Sequence, residues 1–83
     1  MGTESSRSGI YFYEVADPAS MGRKVRECRR RHGLTQGQLA GLSGTGLRFV
    51  SELERGKPSV SLNKTMAVLG ALGLRLEIVA SQS

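Results

Sequence analysis

The stretch between Gly33 and Gly56, GLTQGQLAGLSGTGLRFVSELERG, combines a helical pattern with six glycines. Its apolar residues recur every three or four positions, which is the spacing of one face of a helix. A glycine inside a helix, however, costs about 1 kcal/mol relative to alanine. The pattern therefore predicts two short helices joined by a tight turn and stabilised by packing, because such segments are marginal in isolation.

The first of these two helices is predicted to follow Thr35. A glutamine stands three positions after this threonine, so the pair has the Thr-x-x-Gln form of a capping box. The helix is predicted to reach about Leu42, with Leu39 and Ala40 facing inward. Gly44 then ends it, since glycine readily takes the positive φ that follows many helices.

The second helix is predicted over about residues 46–55, ending at Gly56. A helical wheel separates an apolar side from a polar one. The apolar side consists of Phe49, Val50 and Leu53, with Glu54 at its edge, and the opposite arc consists of Arg48, Ser51, Glu52 and Arg55. Two helices with a glycine-bearing turn form a helix-turn-helix arrangement. In that arrangement, the second helix enters the major groove of DNA.

Two further helices are predicted to flank this pair, giving a helical domain over residues 18–73. The first is capped by Asp17, begins at Pro18 and reaches about His32. Its predicted inner face is Met21, Val25, Cys28 and His32. The last is capped by Ser61 and ends at Gly73; its predicted inner face is Leu62, Met66, Leu69 and Leu72.

Both ends of the chain are predicted to differ from the helical domain. Residues 1–17 are interpreted as a tail or arm, disordered over MGTESSRSG and with a short strand or extended arm over 10–15. Residues 74–83 are interpreted as a strand and tail. The strand could pair with residues 10–15 or with its own copy in a two-fold dimer, since a lone strand leaves backbone groups unpaired.

The net charge of +5 is concentrated in RKVRECRRR, which holds six basic residues and one glutamate. Such a patch suits phosphate backbones or anionic membrane surfaces, and the simpler interpretation is a solvated helix face. The chain of 83 residues forms one small domain, with Cys28 as its only cysteine. It contains no apolar run near the roughly 20 residues of a membrane span. A cytoplasmic, nucleoid-associated protein is expected.

The sequence does not favour an enzyme or a metal site. Cys28 and His32 are four residues apart, but two ligands do not make a zinc site. The GLSGTG segment has no preceding strand and no following Lys-Ser/Thr pair, so it is not a phosphate-binding loop. The single histidine has no serine and aspartate in a recognisable triad. We therefore expect no cofactor, no metal and no membrane association.

The segment Leu34–Lys57 resembles the Cro/C1-type, or XRE, helix-turn-helix family. The matching residues are Leu34-Thr35-Gln36, Leu39-Ala40, Gly44, Val50-Ser51 and Leu53-Glu54-Arg55-Gly56-Lys57. The resemblance covers about Met21 to Gly73, and the ending ALGLRLEIVA is similar to that of HipB-like antitoxins. It implies an all-α fold: a four-to-five-helix lambda-repressor-like domain with a C-terminal β-strand pairing across a homodimer.

The resemblance also implies roles for individual residues. Base contacts are expected from Leu47, Arg48, Ser51 and Glu52, and phosphate contacts from Gln36, Gly46, Arg55 and Lys57. A structural salt bridge is expected between Arg29 and Glu54, and the dimer strand would present Leu74, Leu76 and Ile78. The sequence departs from the family at Gly37, Gly41 and Gly46, where bulkier polar residues are usual.

The function implied by the resemblance is a sequence-specific transcriptional repressor that binds a palindromic operator as a homodimer. The similarity to HipB-like proteins narrows this to the antitoxin of a HipBA-type operon, with a HipA-like kinase toxin as partner. One alternative is a stand-alone XRE regulator without a toxin. A second alternative is a protein-interaction module that does not bind DNA.

Overall fold

A computed structural model describes residues 4–7 and 10–81 of the chain. Within these residues, two short strands precede four helices. The strands are β1 (Glu4–Arg7) and β2 (Ile10–Tyr13), and the helices are α1 (Pro18–Arg31), α2 (Gln36–Ser43), α3 (Leu47–Glu54) and α4 (Leu62–Ala71). The predicted helical fold is confirmed, and the predicted helix boundaries agree with these bounds to within about two residues.

Three of the helices begin with a side chain that accepts a backbone hydrogen bond. At α1, the Asp17 carboxylate accepts from the Ser20 N–H at 2.8 Å, and the Ser20 hydroxyl accepts from the Asp17 N–H at 3.1 Å. At α2, Thr35 and Gln38 exchange the same two bonds, at 3.0 and 2.9 Å. Ser61 caps α4. The capping box predicted for α2 is thus confirmed.

All four helices end in the same way, with a glycine of positive φ just beyond the helix. These glycines are Gly33, Gly44, Gly56 and Gly73. At the turn after α2, the N–H of Thr45 donates to the carbonyl of Ala40 at 3.0 Å, which is the long bond of a Schellman motif. The glycines outside the helices therefore set where each helix stops.

The core is a single apolar cluster to which every helix contributes. Its buried members are Val25, Cys28, Leu39, Ala40, Val50, Leu53, Val68, Leu69 and Leu72. The residues predicted to face inward on α2 and α3 are therefore where they were expected. Partly buried side chains from the connecting segments, such as Leu34 and Val60, close the edges of this core.

The predicted inner face of α4 was partly wrong. Leu62 and Met66 are 65% and 51% exposed, whereas Thr65 and Val68 are buried. Apolar residues occur on more than one side of α4, so their spacing did not define a single face. Thr65 can be buried because its hydroxyl donates to the carbonyl of Ser61 at 2.8 Å, which satisfies the polar group.

His32 also lies elsewhere than predicted. It is the C-cap of α1 and is exposed, rather than a member of the inner face. Its Nε2 lies 3.2 Å from the carbonyl oxygen of Leu72. This contact joins the C-terminal ends of α1 and α4.

The N-terminal segment contains more structure than predicted. Residues Glu4–Arg7, expected to belong to a disordered tail, form β1 and pair antiparallel with β2. The remaining residues of that predicted tail lie outside the described residues. The β2 segment ends beside α1, where the ring centroid of Tyr13 lies 4.0 Å from Lys24 Nζ. The same tyrosine is the main cause of a raised pKa for Arg31.

The C-terminal segment does not form the predicted strand within the single chain. Residues 74–81 are neither helix nor strand, and β2 pairs with β1 rather than with this segment. Leu74 packs against the core, whereas Ile78 is fully exposed. The side chains of Arg75 and Glu77 meet at 3.1 Å, so alternate residues face the same side, as in extended chain.

Helices α1 and α3 approach each other closely at Gly22. A Cβ atom on Gly22 would lie 2.5 Å from the carbonyl oxygen of Leu53 and 2.6 Å from that of Glu54. Only glycine fits at this distance. By contrast, no described atom lies within 4 Å of a Cβ placed on Gly41 in α2, apart from the local helix backbone.

This difference predicts opposite effects for two glycine-to-alanine substitutions. Gly22→Ala should lower the free energy of unfolding by about 1–3 kcal/mol, because α1 and α3 must separate to accommodate the methyl group. Gly41→Ala should raise it by up to about 1 kcal/mol through helix propensity. Urea-induced unfolding followed by circular dichroism measures both. A Gly22→Ala variant as stable as the wild type would contradict the close α1–α3 contact.

Candidate nucleic-acid interface

Helix α3 has one side in the core and the other in solvent. Val50 and Leu53 are buried, at 0% and 2% exposure, and Phe49 is half-buried. On the opposite side, Leu47 is 57% exposed and the side chain of Arg48 is 91% exposed. An exposed leucine next to an exposed arginine gives the start of α3 both an apolar and a charged group for a partner.

The turn between α2 and α3 is fixed by hydroxyl groups that the sequence analysis did not single out. The Ser43 hydroxyl donates to the carbonyl of Leu39 at 2.8 Å, and it lies 2.8 Å from the hydroxyl oxygen of Thr45. Gly46 then serves as the N-cap of α3 in extended backbone, with φ of −110°. The serine and threonine flanking the turn glycine were the available signal, since both types often bond to nearby backbone.

A bidentate ion pair joins α1 to the C-terminal end of α3. Arg29 Nε donates to Glu54 Oε2 at 2.6 Å, and Arg29 Nη2 donates to Glu54 Oε1 at 3.0 Å. The remaining nitrogen, Nη1, donates to the carbonyl of Leu34 at 2.8 Å. The two side chains are only 10% and 3% exposed. The structure thus brings together the two residues for which a salt bridge was predicted.

Gln36, predicted at a DNA phosphate, contributes to the same cluster. Its Nε2 donates to Glu54 Oε1 at 3.0 Å. Burial raises the pKa of Glu54, but the hydrogen bonds from Arg29 and Gln36 outweigh burial and hold that pKa below its ordinary value. The first turn of α2 is thereby connected to the end of α3 through one carboxylate.

A second carboxylate, that of Glu52, lies on the outward side of α3 between two cations. Its Oε2 accepts from Arg48 Nε at 3.3 Å, and its Oε1 accepts from Lys57 Nζ at 3.4 Å. Partial desolvation raises the pKa of Glu52, but the bonds from Lys57 and Arg48 outweigh it and lower the pKa. Three residues predicted to contact DNA are therefore bonded to one another.

Three other residues predicted to contact DNA lie on α3 or at its two ends: Gly46 is its N-cap, Ser51 lies within it and Arg55 is its C-cap. The Arg55 Nη1 atom donates to the Ser51 hydroxyl at 2.9 Å. Arg55 is exposed and Ser51 is half-buried. Gly46 is exposed at the start of the helix. The eight residues predicted to contact DNA thus surround α3 and the start of α2.

Lys64 was missed by the sequence analysis. It lies in the first turn of α4, is exposed, and its Nζ is 5.9 Å from the ring centroid of Phe49. This contact places a cation next to α3 from a different helix. No pattern in the sequence pointed to it, because the proximity of α4 to α3 is a tertiary feature.

The basic run in α1 does not form one continuous surface. Arg29 is buried in the ion pair with Glu54, and Lys24 is bonded to Glu27 at 2.9 Å. The remaining basic residues of this run, Arg23, Arg26, Arg30 and Arg31, are exposed. The charge pattern of the sequence therefore overstates the positive charge that α1 presents to a partner.

The described residues contain neither a cluster of potential metal ligands nor a helix that could span a membrane. No group of three His, Cys, Asp or Glu residues there could hold a metal ion. None of the helices in residues 18–71 is long and apolar enough to cross a membrane.

Comparison with known proteins agrees with this geometry. A family model described as "Helix-turn-helix domain" matches residues 20–80. The chain belongs to this helix-turn-helix family, of the Cro/C1 (XRE) type. Within the family, the chain is 42% identical over 66 residues to an uncharacterized HTH-type transcriptional regulator, y4mF, of Sinorhizobium fredii; the match covers 80% of this chain and 87% of the relative.

Solved structures of similar fold include HipB and a controller protein. Structures described as "HipB-O4 20mer complex" and "Structure of HipA-HipB-O2-O3 complex" match with a TM-score of 0.76, covering 86% of this chain and 100% of theirs. Their sequence identity of 21% supports the fold alone. The restriction-modification controller protein C.AhdI of Aeromonas hydrophila matches with a TM-score of 0.64 and 37% identity, covering 71% of this chain and 86% of that one.

The buried ion pair predicts a pH dependence of stability. The folded-state pKa of Glu54 lies below its ordinary value of 4.5. Its contribution is therefore complete above the unfolded-state pKa and is lost as the pH falls through the folded-state pKa. We expect the free energy of unfolding to fall as the pH drops below the ordinary value of 4.5 towards the lowered folded-state pKa, and Glu54→Gln to remove part of that fall.

The measurement is urea unfolding as a function of pH for the wild type and for Glu54→Gln. Part of the decrease should remain in the variant, because Asp17 and Glu27 also have lowered pKa values. At neutral pH, Arg29→Ala should cost about 3–5 kcal/mol, since it leaves a buried carboxylate without its main partner. Parallel pH curves for the wild type and Glu54→Gln would contradict this role.

Proposed function

We propose that this helix-turn-helix protein is a sequence-specific transcriptional repressor that inserts α3 into the DNA major groove. The observation that carries the proposal is the outward side of α3, where Leu47 and Arg48 extend into solvent from a helix anchored by a buried ion pair. A recognition helix must present side chains while its backbone is held in place. The similarity to the HTH-type regulator y4mF supports this assignment.

Base contacts are assigned to Leu47, Arg48, Ser51 and Glu52. Arg48 carries two parallel sets of N–H donors, which suit the O6 and N7 acceptors of guanine. Leu47 supplies an apolar surface for the methyl group of thymine. Both lie in the first turn of α3, the part of a recognition helix that approaches the base edges.

Phosphate contacts are assigned to Gln36, Gly46, Arg55 and Lys57. The amide nitrogen of Gln36 has two N–H groups, so it can donate one to Glu54 and direct the other to a phosphate. The backbone N–H groups at the start of a helix such as α2 favour an anion at the same place. Contacts of this kind fix the orientation of the protein on DNA without reading sequence.

The protein is further proposed to act as a homodimer joined by its C-terminal segment. The exposed apolar side chains of Leu76 and Ile78, on the same side of the extended segment as Leu74, are then covered by the same segment of a second copy. Two-fold symmetry gives two recognition helices roughly 34 Å apart and therefore a palindromic operator.

Two narrower functions fit this proposal. The similarity in fold to HipB, which has been solved with HipA, favours the antitoxin of a HipBA-type operon with a HipA-like kinase toxin as partner. The identity to y4mF and C.AhdI, described as a transcriptional regulator and a controller protein, supports regulation in general, and a stand-alone regulator without a toxin is the alternative. Copurification of a kinase-fold partner encoded by the neighbouring gene supports the first; its absence when both genes are coexpressed supports the second.

Two substitutions separate base contacts from phosphate contacts. Arg48→Ala should lower the affinity for a duplex that the wild type selects from a random pool by about 10- to 100-fold. Its affinity for random-sequence duplexes should fall by less. Lys57→Ala should weaken binding to both duplexes alike and make the log–log salt slope shallower by about 0.9. Fluorescence anisotropy at several salt concentrations measures both effects.

The control for this experiment is Arg30→Ala, which removes an exposed cation from α1. It should leave the preference for the selected duplex unchanged. If Arg48→Ala weakened binding to both duplexes equally, the assignment of Arg48 to base reading would be wrong. If the wild type bound no duplex at low salt, a protein-interaction module would be the better interpretation.

The dimer proposal predicts that Ile78→Lys produces monomers. The side chain of Ile78 is fully exposed in the single chain, so the substitution should leave the helical domain folded while placing a charge in the interface. Truncation after Gly73 should have the same effect. Sedimentation velocity reports the mass, and circular dichroism confirms the fold. A dimer of unchanged strength in both variants would exclude the C-terminal segment as the interface.

A further inference from the structure

Glu52 is an unexpected group on a surface that is proposed to face DNA. Its carboxylate carries the same sign of charge as the phosphate backbone, and it lies among the residues assigned to DNA contact. The side chain is only 19% exposed, whereas its partners Arg48 and Lys57 are 91% and 46% exposed. The carboxylate is thus the least exposed member of the cluster, and the two cations are the more exposed ones.

We propose that Glu52 determines selectivity by weakening the attraction of this surface to DNA of arbitrary sequence. The inference rests on the proposed function, because it assigns a role within the same interface. In the unbound protein, Glu52 holds Arg48 at 3.3 Å and Lys57 at 3.4 Å. Each cation must leave or share this carboxylate before it can contact a base or a phosphate.

Separating Arg48 and Lys57 from Glu52 costs the same free energy on every DNA sequence. The contacts that the three residues gain in return depend on the sequence. On an arbitrary duplex, Arg48 and Lys57 exchange one anion for another, and Glu52 is left close to phosphates that repel it. On a matching site, Arg48 gains a bidentate contact with guanine. A carboxylate can also accept from the N4 amino group of cytosine, the base paired with that guanine. The penalty is therefore offset only where the sequence fits.

A purely structural role for Glu52 does not account for its position. It lies on the solvent side of α3, opposite the core residues Val50 and Leu53. The ion pairs it makes with Arg48 and Lys57 involve exposed partners, and such pairs contribute little to stability. The buried carboxylate that anchors α3 is that of Glu54, a separate group with separate partners.

The test compares Glu52→Gln with Glu27→Gln. Both substitutions remove one negative charge from a carboxylate bonded to a lysine, but Glu27 lies on α1, where it is bonded to Lys24. Binding is measured by anisotropy on a random-sequence duplex and on the duplex that the wild type selects from a random pool, each over a range of salt. Thermal melting confirms that both variants are folded.

For Glu52→Gln, we expect affinity for the random duplex to rise by about five- to tenfold. The log–log salt slope on that duplex should steepen by about 0.9, because one more cation is available to displace counterions. The ratio of selected to random affinity should fall. Glu27→Gln should leave the ratio unchanged. An equal change in both variants would overturn the proposal, because it would reflect net charge alone.

Unchanged or weaker binding of Glu52→Gln to the random duplex would also overturn the proposal for Glu52. That result would leave the proposed function intact as long as the wild type still preferred its selected duplex. Failure of the wild type to bind either duplex at low salt would instead remove the proposed function, and the role of Glu52 with it.

Discussion

A guanidinium group buried in a protein must find acceptors for its N–H groups, and in this domain that requirement positions three helices. Arg29 on α1 directs two nitrogens to Glu54 at the end of α3 and the third to the carbonyl of Leu34. Gln36 at the start of α2 donates to the same glutamate. Because no buried side-chain nitrogen or oxygen among the described residues lacks a partner, the orientation of α3 is set by a fully satisfied polar cluster.

The close packing at Gly22 complements this ion pair. The glycine lets the backbone of α1 approach the carbonyl groups of Leu53 and Glu54, which brings Arg29, two turns along the same helix, to its carboxylate partner. The glycines of α2 are different, since Gly41 has open space around it. Packing therefore explains the glycine in α1, and the turn geometry explains Gly44, but nothing in the structure explains Gly41.

Features encoded by a few adjacent residues could be predicted from the sequence, whereas features that depend on distant segments could not. The capping box at Thr35 and the helix end at Gly44 are local, so they were correctly predicted. The buried face of α4 depends on which neighbour it packs against, and its apolar residues allowed more than one answer. Likewise, a helical wheel placed Glu52 on the outward side of α3 but gave no sign that Lys57, beyond the end of the helix, would fold back onto it.

The distribution of charge also depends on contacts between distant or neighbouring side chains. Two of the basic residues in α1, Arg29 and Lys24, form ion pairs with Glu54 and Glu27, whereas fewer cations on and near α3 form the proposed DNA-binding surface.

The proposed DNA-binding surface is tested most directly by backbone ¹H–¹⁵N chemical-shift changes as a duplex selected by the protein is added. It predicts the largest changes in the first turns of α3 and α2. Changes confined to the exposed basic side of α1, with α3 unaffected, would contradict it.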